Sequence, residues 1–243
     1  MKKYNYFDFL AAFGVGGAHP GGIPLTKEIV EAEKITNHSV ILDAGCGTGQ
    51  TAAYLYNQFG ANITGLEINP TMLEKARSRF ATHQIPIQLV EGSVEEIPFS
   101  DNTFDLIICE SVLAFTKKDL ALSEFYRVLK TGGRLIANEM TINSPLKSEE
   151  KAEIMTFYGV DSLLFEEDWR QILQKAGFTN IKTEEKIPSL PGEFQIPEFD
   201  FSANVDPELF GIMQMHAQLM LQFQDVLSYR ILSCSKPLVK LPS

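Results

Sequence analysis

Two carboxylates with a set of glycines between them are the residues in this sequence best suited to bind a ligand. Three glycines, Gly45, Gly47 and Gly49, stand at alternate positions shortly after Asp43. Glycine permits positive φ angles, and because it lacks a Cβ atom a ligand can lie against its backbone. Glu67 follows Gly45 by 22 positions, close to the ~20 at which a carboxylate holds ribose hydroxyls in nucleotide-binding folds. The spacing therefore predicts a ligand that contains a ribose.

The segments around these residues predict the elements that would position them. Residues 40–42 are apolar, which indicates a buried strand, and residues 51–59 repeat apolar side chains at helical spacing. Strand, glycine turn and helix in that order form the first crossover of a nucleotide-binding fold. The free N–H groups at the start of the helix would face a negative group of the ligand. A second strand over 62–66 places Glu67 at its carboxyl end.

The position of the third glycine distinguishes between nucleotide types. A dinucleotide-binding turn has the pattern G-x-G-x-x-G/A, whereas here Gln50 occupies the last position and the third glycine, Gly49, stands one residue earlier. A nicotinamide-dependent oxidoreductase is therefore disfavoured. The alternative without a ligand is that these glycines only form a tight turn between a strand and a helix.

Several motifs, in order along the chain, resemble those of a known enzyme family. The run Asp43-Ala44-Gly45-Cys46-Gly47-Thr48-Gly49 resembles motif I, D-x-G-C-G-T-G, of the class I S-adenosylmethionine-dependent methyltransferases. Residues 93–108 resemble the "D-A-E-x-L-P-F … D-x-x-F-D" signature of type 11 methyltransferase domains, which include the ubiquinone and menaquinone methyltransferases. Residues 126–135 resemble their "R-V-L-K-P-G-G-R-L". The resemblance covers residues 38–140, with a weaker tail at 169–181.

The resemblance and the order of the predicted elements imply an α/β fold. Its core would be a Rossmann-like, doubly wound, seven-stranded sheet, mostly parallel with an antiparallel last strand and with helices on both faces. Residues 1–243 would form a single methyltransferase domain. Within it, residues 1–36 would supply N-terminal helices and a lid loop, and residues 141–228 helical additions on the substrate side. The segment Thr131-Gly132-Gly133 is predicted to end a helix over 119–129 as a C-terminal cap.

The resemblance also implies the cofactor, which would be S-adenosyl-L-methionine, with S-adenosyl-L-homocysteine as its product and no metal. Asp43 and the glycine turn would face the methionine part, Glu67 the ribose, and Ile68 the adenine ring. The residues expected to bind the cofactor are Asp43, Ala44, Gly45, Cys46, Gly47, Gly49, Gln50, Glu67, Ile68, Ser93, Val94, Glu110 and Ser111. Ser93 stands where the family usually has an aspartate, and its hydroxyl can still accept a hydrogen bond.

One histidine lies in a loop that directly precedes this unit. Residues 14–24 contain five glycines and two prolines, which predicts a loop with special backbone geometry. His19, in its middle, is the main candidate for a catalytic general base, because a neutral imidazole operates near its own pKa range. The alternative is a loop histidine whose ring hydrogen-bonds to backbone. Tyr158, Glu139 and His216 are weaker candidates.

The methyl acceptor is expected to be a small, partly apolar molecule. Residues 189–226 are rich in Met and Phe, and methionine-rich surfaces adapt to varied apolar ligands. Alternatively, the helix predicted over 207–226 only completes the core or forms the face of a homodimer. After the fourth predicted strand the chain has Glu110-Ser111-Val112-Leu113, not the Asn/Asp-Pro-Pro-Tyr/Phe motif of nucleic-acid amino-methyltransferases. An RNA or protein methyltransferase of the same fold, or a non-catalytic regulatory domain that binds S-adenosylmethionine, are the alternatives.

Composition and charge indicate which partners and which cellular compartment to expect. The formal net charge is −10 and the sequence pI about 4.9, so the chain has no overall attraction for a phosphate backbone and we expect no nucleic-acid partner. Cys46, Cys109 and Cys234 are odd in number, which is typical of reduced cysteines in an intracellular protein. No signal peptide and no run of ~18 apolar residues is present. We expect a cytoplasmic protein without a membrane span.

Overall fold

A seven-stranded sheet forms the centre of the computed structural model, which describes residues 4–185 and 198–238. The strands are β1 (Val40–Ala44), β2 (Asn62–Glu67), β3 (Gln88–Glu91), β4 (Phe104–Glu110), β5 (Leu129–Ile142), β6 (Thr179–Glu184) and β7 (Leu227–Ser235). The helices are α1 (Tyr6–Phe13), α2 (Gly22–Glu31), α3 (Gln50–Phe59), α4 (Pro70–Thr82), α5 (Lys118–Val128), α6 (Ser148–Tyr158), α7 (Glu166–Lys175) and α8 (Glu208–Gln222).

The sheet has the doubly wound arrangement that the sequence predicted, with the order β3-β2-β1-β4-β5-β7-β6. The first five strands in that order pair in parallel, whereas β7 pairs antiparallel with both β5 and β6. In the central strand β1, Ile41 and Leu42 are fully buried, as expected for a parallel strand that is covered on both faces. The strand order reverses between β1 and β4, and the loops that leave their carboxyl ends diverge around a crevice.

Apolar side chains pack on both faces of the sheet and at its carboxyl edge. On one face α5 and α7 bury Phe125 and Trp169, and on the other α3 buries Leu55. A third cluster joins α1, α6 and α8 through side chains that include Phe13 and Leu209. None of the helices in the described part of the chain is long and apolar enough to cross a membrane.

The predicted helix cap at Thr131-Gly132-Gly133 is wrong. Helix α5 ends before Leu129, which is already extended, so the three residues belong to β5. The reason is a long-range pairing: the Gly132 N–H donates to the Lys236 carbonyl at 3.0 Å, and the Lys236 N–H donates to the Gly133 carbonyl at 2.8 Å. Backbone groups that are paired in this way hold the segment as strand.

Other boundaries differ from the predictions by a few residues. Helix α2 begins at Gly22, inside the segment 14–24 that was expected to be loop. The helix expected over 207–226 ends at Gln222. Residues 189–197 of the Met- and Phe-rich segment lie outside the described residues. The three cysteines, which the sequence predicted to be reduced, form no disulfide with one another and are buried.

Candidate active site

A cavity of about 460 Å³ lies at the carboxyl ends of β1, β2 and β4, where the strand order reverses. Ligands of doubly wound sheets bind in this crevice. Most residues that the sequence singled out line it. They are His19, Asp43, Gly45, Cys46, Gly47, Gln50, Glu67, Ile68, Ser93, Val94, Glu110 and Ser111.

Two of the residues predicted to bind the cofactor, Ala44 and Gly49, do not line the cavity. They lie on the core side of the glycine turn. Ala44 is fully buried at the end of β1. Gly49 precedes α3 with φ +76°, and a Cβ atom there would lie 2.6 Å from the ring of Phe80. Both residues therefore bring the turn close to the core, and their contact with the cofactor stays a prediction.

The glycine turn is fastened to the end of β2. The N–H groups of Gly45 and Cys46 donate to the Leu66 carbonyl at 2.8 and 3.0 Å. Gly45 has φ +79°, and a Cβ atom on it would lie 2.3 Å from the side chain of Val112. The turn therefore requires glycine at this position both for its backbone angle and for the approach of the loop after β4.

Glu67 is oriented by backbone donors before any ligand binds. It is 7% exposed, and its carboxylate accepts the N–H of Gly47 at 2.9 Å and that of Asn69 at 2.8 Å. Burial raises the pKa of Glu67, and these hydrogen bonds oppose the increase. Each carboxylate oxygen can accept a further hydrogen bond. Ile68 follows with a side chain that is 66% exposed, an open apolar surface for a planar ring.

Asp43 presents a buried carboxylate with one oxygen unpaired among the described residues. It is 3% exposed, and its Oδ2 has no hydrogen-bond donor among the described residues. Burial raises the pKa of Asp43 well above its usual range, the nearby charges of Glu110 and Glu67 add to this, and a backbone hydrogen bond from Ala52 opposes it. Because an unpaired buried carboxylate is costly, a cationic or N–H-bearing ligand group would stabilise it. A methionine end with an ammonium and a sulfonium fits this requirement.

Glu110 is held by two threonines that sequence analysis did not single out. Its Oε1 accepts a hydrogen bond from the Thr26 hydroxyl at 2.7 Å, and its Oε2 accepts one from the Thr51 hydroxyl at 2.8 Å. Thr51 also lines the cavity. One signal was available in the sequence, because Thr26 is a polar residue on the otherwise apolar buried face of α2. The carboxylate is thereby fixed at the end of β4, beside Asp43.

His19 lies within this cluster, and protein groups are near both of its ring nitrogens. Its side chain is 5% exposed, and its Nε2 is 3.5 Å from the Glu110 Oε2. Its Nδ1 is 3.3 Å from the Pro20 carbonyl oxygen and 3.4 Å from the Asn138 Nδ2. The loop over 14–24 therefore lies on the cavity and places an imidazole against a carboxylate. Its role as a base stays a prediction.

Hydrogen bonds to residues of β5 hold the loop after β4 in place. Ser111 has φ +57°, an uncommon angle for a residue other than glycine, and its N–H donates to the Asn138 carbonyl at 2.8 Å. Glu139 is fully buried and accepts backbone N–H groups of the following residues. It is not among the residues that line the cavity, and neither are Tyr158 and His216, which hydrogen-bond each other at 2.9 Å.

The apolar wall of the cavity comes from α1 and from the loop after β4. Phe7 and Leu10 of α1 line it together with Phe115, and the centroids of the Phe7 and Phe115 rings are 4.8 Å apart. Helix α8, which the sequence offered as an acceptor surface or as part of the core, contributes no residue to this cavity. It packs against α1 instead. The apolar spacing in α1 signalled burial, and the sequence did not indicate which side chains reach the site.

The sequence of this chain is similar to those of known methyltransferases. A family model described as a methyltransferase domain matches residues 42–137. The uncharacterized methyltransferase YodH of Bacillus subtilis is 37% identical over 228 residues, which are 93% of this chain and 97% of that protein. Phosphoethanolamine N-methyltransferase 1 of Arabidopsis thaliana is 27% identical over 186 residues, which are 76% of this chain and 38% of that longer protein.

A solved structure with a similar fold contains the expected cofactor. Phosphoethanolamine N-methyltransferase 2 of Haemonchus contortus, in complex with S-adenosyl-L-methionine, superposes with a TM-score of 0.77 at 20% identity. The superposition covers 95% of this chain and 56% of that one. At this identity the likeness shows the fold.

Proposed function

We propose that this chain, which belongs to the class I S-adenosylmethionine-dependent methyltransferases, methylates a small, partly apolar molecule. S-adenosyl-L-methionine is its cofactor. The observation that supports this acceptor is that one cavity is lined by carboxylates, by the glycine turn and by the apolar side chains of Phe7, Leu10 and Phe115. Its volume of about 460 Å³ is within the range of sites for small ligands. The quinone-biosynthesis part of the resemblance stays a prediction.

The residues around the cavity would hold the cofactor at three points. Asp43 and the glycine turn would bind the methionine part, and Glu67 would accept hydrogen bonds from the ribose hydroxyls. Ile68 would pack on the adenine ring, with Ser93 and Val94 at its edge. When bound, the cofactor supplies a methyl group already activated by a sulfonium. The chain therefore has to orient the acceptor and exclude water, and the loop over 14–24 would close the cavity.

We further propose that Glu110 and His19 handle the proton of the acceptor. His19 Nε2 lies 3.5 Å from the Glu110 Oε2, so the two side chains are close enough for a proton taken from the acceptor to pass between them. Thr26 and Thr51 keep Glu110 in place. In a second version Glu110 holds a cationic acceptor directly, and His19 only positions Glu110.

The charge of the cavity favours an acceptor without a phosphate group. Its lining includes the carboxylates of Asp43, Glu67, Glu95 and Glu110, and no lysine or arginine is among the described lining residues. Like charges within a few ångströms repel strongly at reduced dielectric. We therefore propose a neutral or cationic acceptor, in contrast to the phosphoethanolamine that gives the plant and nematode relatives their names.

The experiment follows a tritiated methyl group from labelled S-adenosylmethionine into a cell extract that is afterwards separated into small molecules, RNA and protein. Label in the small-molecule fraction, reduced with the Glu67→Ala variant, is the expected result. Label in RNA or protein would contradict the proposal. Binding of S-adenosylhomocysteine without any transfer would favour a regulatory domain. Phosphoethanolamine, offered as a pure acceptor, should give no more product than buffer.

A further inference from the structure

We propose that Glu198 is a positioning residue that fastens the loop over 14–21, the part of segment 14–24 that precedes α2, to the glycine turn and thereby slows release of the cofactor. Residues 198–202, here called the clasp, lie far from the glycine turn in sequence and touch both structures. The inference concerns the bound cofactor and does not depend on which acceptor is methylated.

The backbone of the clasp pairs with the chain that follows α1. The Gly16 N–H donates to the Glu198 carbonyl at 2.8 Å, and Val15 forms an antiparallel bridge with Phe199. Gly14 makes this approach feasible, because a Cβ atom there would lie 2.2 Å from a carbonyl oxygen of the clasp. The clasp is therefore built into the start of the loop that covers the cavity.

The side chain of Glu198 reaches the other partner, the glycine turn. Its Oε2 accepts a hydrogen bond from the Gln50 Nε2 at 2.7 Å and lies 3.1 Å from the guanidinium of Arg79. Arg79 in turn donates to the Thr48 carbonyl at 2.8 Å. Glu198 thus connects the loop with α4 and the glycine turn, because its backbone carbonyl binds Gly16 and its carboxylate binds Gln50 and Arg79.

Gln50 is the residue through which Glu198 would act on the cofactor. Its side chain lines the cavity. The Gln50 Oε1 also lies close to the loop, because a Cβ atom added to Gly16 or Gly17 would be 2.9 or 3.0 Å from it. The amide of Gln50 is thus held between the loop and Glu198. A cofactor seated on the glycine turn could leave the cavity only after this arrangement opens.

The test uses Glu198→Ala, with Glu208→Ala as a matched control that removes an exposed carboxylate from the nearby helix α8. Two quantities are measured on the full chain: the dissociation rate of S-adenosylhomocysteine, and hydrogen exchange of residues 14–17 without cofactor. We expect Glu198→Ala to raise the dissociation rate about tenfold, as for the loss of a hydrogen bond to a charged group, and to speed exchange at Gly16. Glu198→Gln should fall between, because it retains a neutral acceptor for Gln50.

The outcomes separate the proposal from a general loss of structure. Both effects in Glu198→Ala, with an unchanged melting temperature and with Glu208→Ala within twofold of the parent, support it. Equal dissociation rates for the parent and Glu198→Ala overturn it, whether or not exchange becomes faster. Equal effects from Glu198→Ala and Glu208→Ala also overturn it, because a change in overall charge would then explain the rates.

Discussion

Replacing Glu139 by glutamine tests how the loop that carries part of the active site is held. Glu139 lies on β5 with no exposed surface. Its carboxylate accepts the N–H groups of Val112, Leu113 and Ala114 at 3.0, 2.9 and 3.1 Å. Those N–H groups belong to the loop that follows β4 directly after Glu110, which lines the cavity. Glutamine keeps the size and one acceptor oxygen of the side chain, and it cannot ionise.

The size of the effect follows from the buried carboxyl group. Burial raises the pKa of Glu139 from the usual 4.5 to about 7, although the three N–H donors and the charge of Lys118 oppose the increase. The folded chain therefore binds this proton more tightly than the unfolded chain. Its contribution to stability is complete below pH 4.5 and is lost as the pH rises through about 7. At about 1.4 kcal/mol per pH unit, the whole interval corresponds to about 3 kcal/mol.

The assay is the free energy of unfolding of the parent and of Glu139→Gln, measured by denaturant titration at pH 5 and pH 8. Most of this change, about 2–3 kcal/mol, falls in that interval, and the difference should move in favour of the glutamine variant at pH 8. Glu208→Gln, at an exposed position, should follow the parent at both pH values. A parent–variant difference that does not depend on pH would refute the reasoning. A shift in favour of the parent would mean that the carboxylate stays ionised and that its three donors outweigh burial.

Three further substitutions test the cofactor site and the loop. Glu67→Ala removes a carboxylate that is expected to accept hydrogen bonds from the ribose hydroxyls. Because such charge-assisted hydrogen bonds are worth about 1.5–3 kcal/mol each, calorimetry should show S-adenosylhomocysteine binding at least about tenfold weaker in a folded protein. Gly45→Ala would place a Cβ atom 2.3 Å from Val112 and should reduce cofactor binding and the melting temperature together. Gly159 has a similar φ of +75° and open space around it, so the control Gly159→Ala should lower only the melting temperature. His19→Ala should lower turnover by ~10²-fold with little change in cofactor affinity if His19 is the base; a parallel fall of both quantities would mean that it only positions the loop.

Local sequence patterns predicted the fold class and most of the residues that line the cavity. The apolar run of β1, the alternating glycines and the carboxylate at the end of β2 are each encoded within a few residues, because backbone geometry at a strand-to-helix turn depends on nearby side chains. The same logic failed at Thr131-Gly132-Gly133, where a glycine pair that suggested a helix cap lies in β5. Its conformation is decided by pairing with Lys236, about a hundred positions away, and no local pattern records that pairing.

Tertiary structure alone decided what surrounds Glu110 and what covers the cavity. Thr26 and Thr51 meet Glu110 from positions 84 and 59 residues away in the sequence, and Glu198 meets Gln50 across 148. Each contact depends on how α2, α3 and the clasp pack on the sheet. The apolar wall likewise comes in part from α1, whereas the sequence had offered the long apolar stripe of α8 as the acceptor surface. Hydrophobic spacing tells which face of a helix is buried, whereas packing against the rest of the chain determines whether that face meets the core or the ligand.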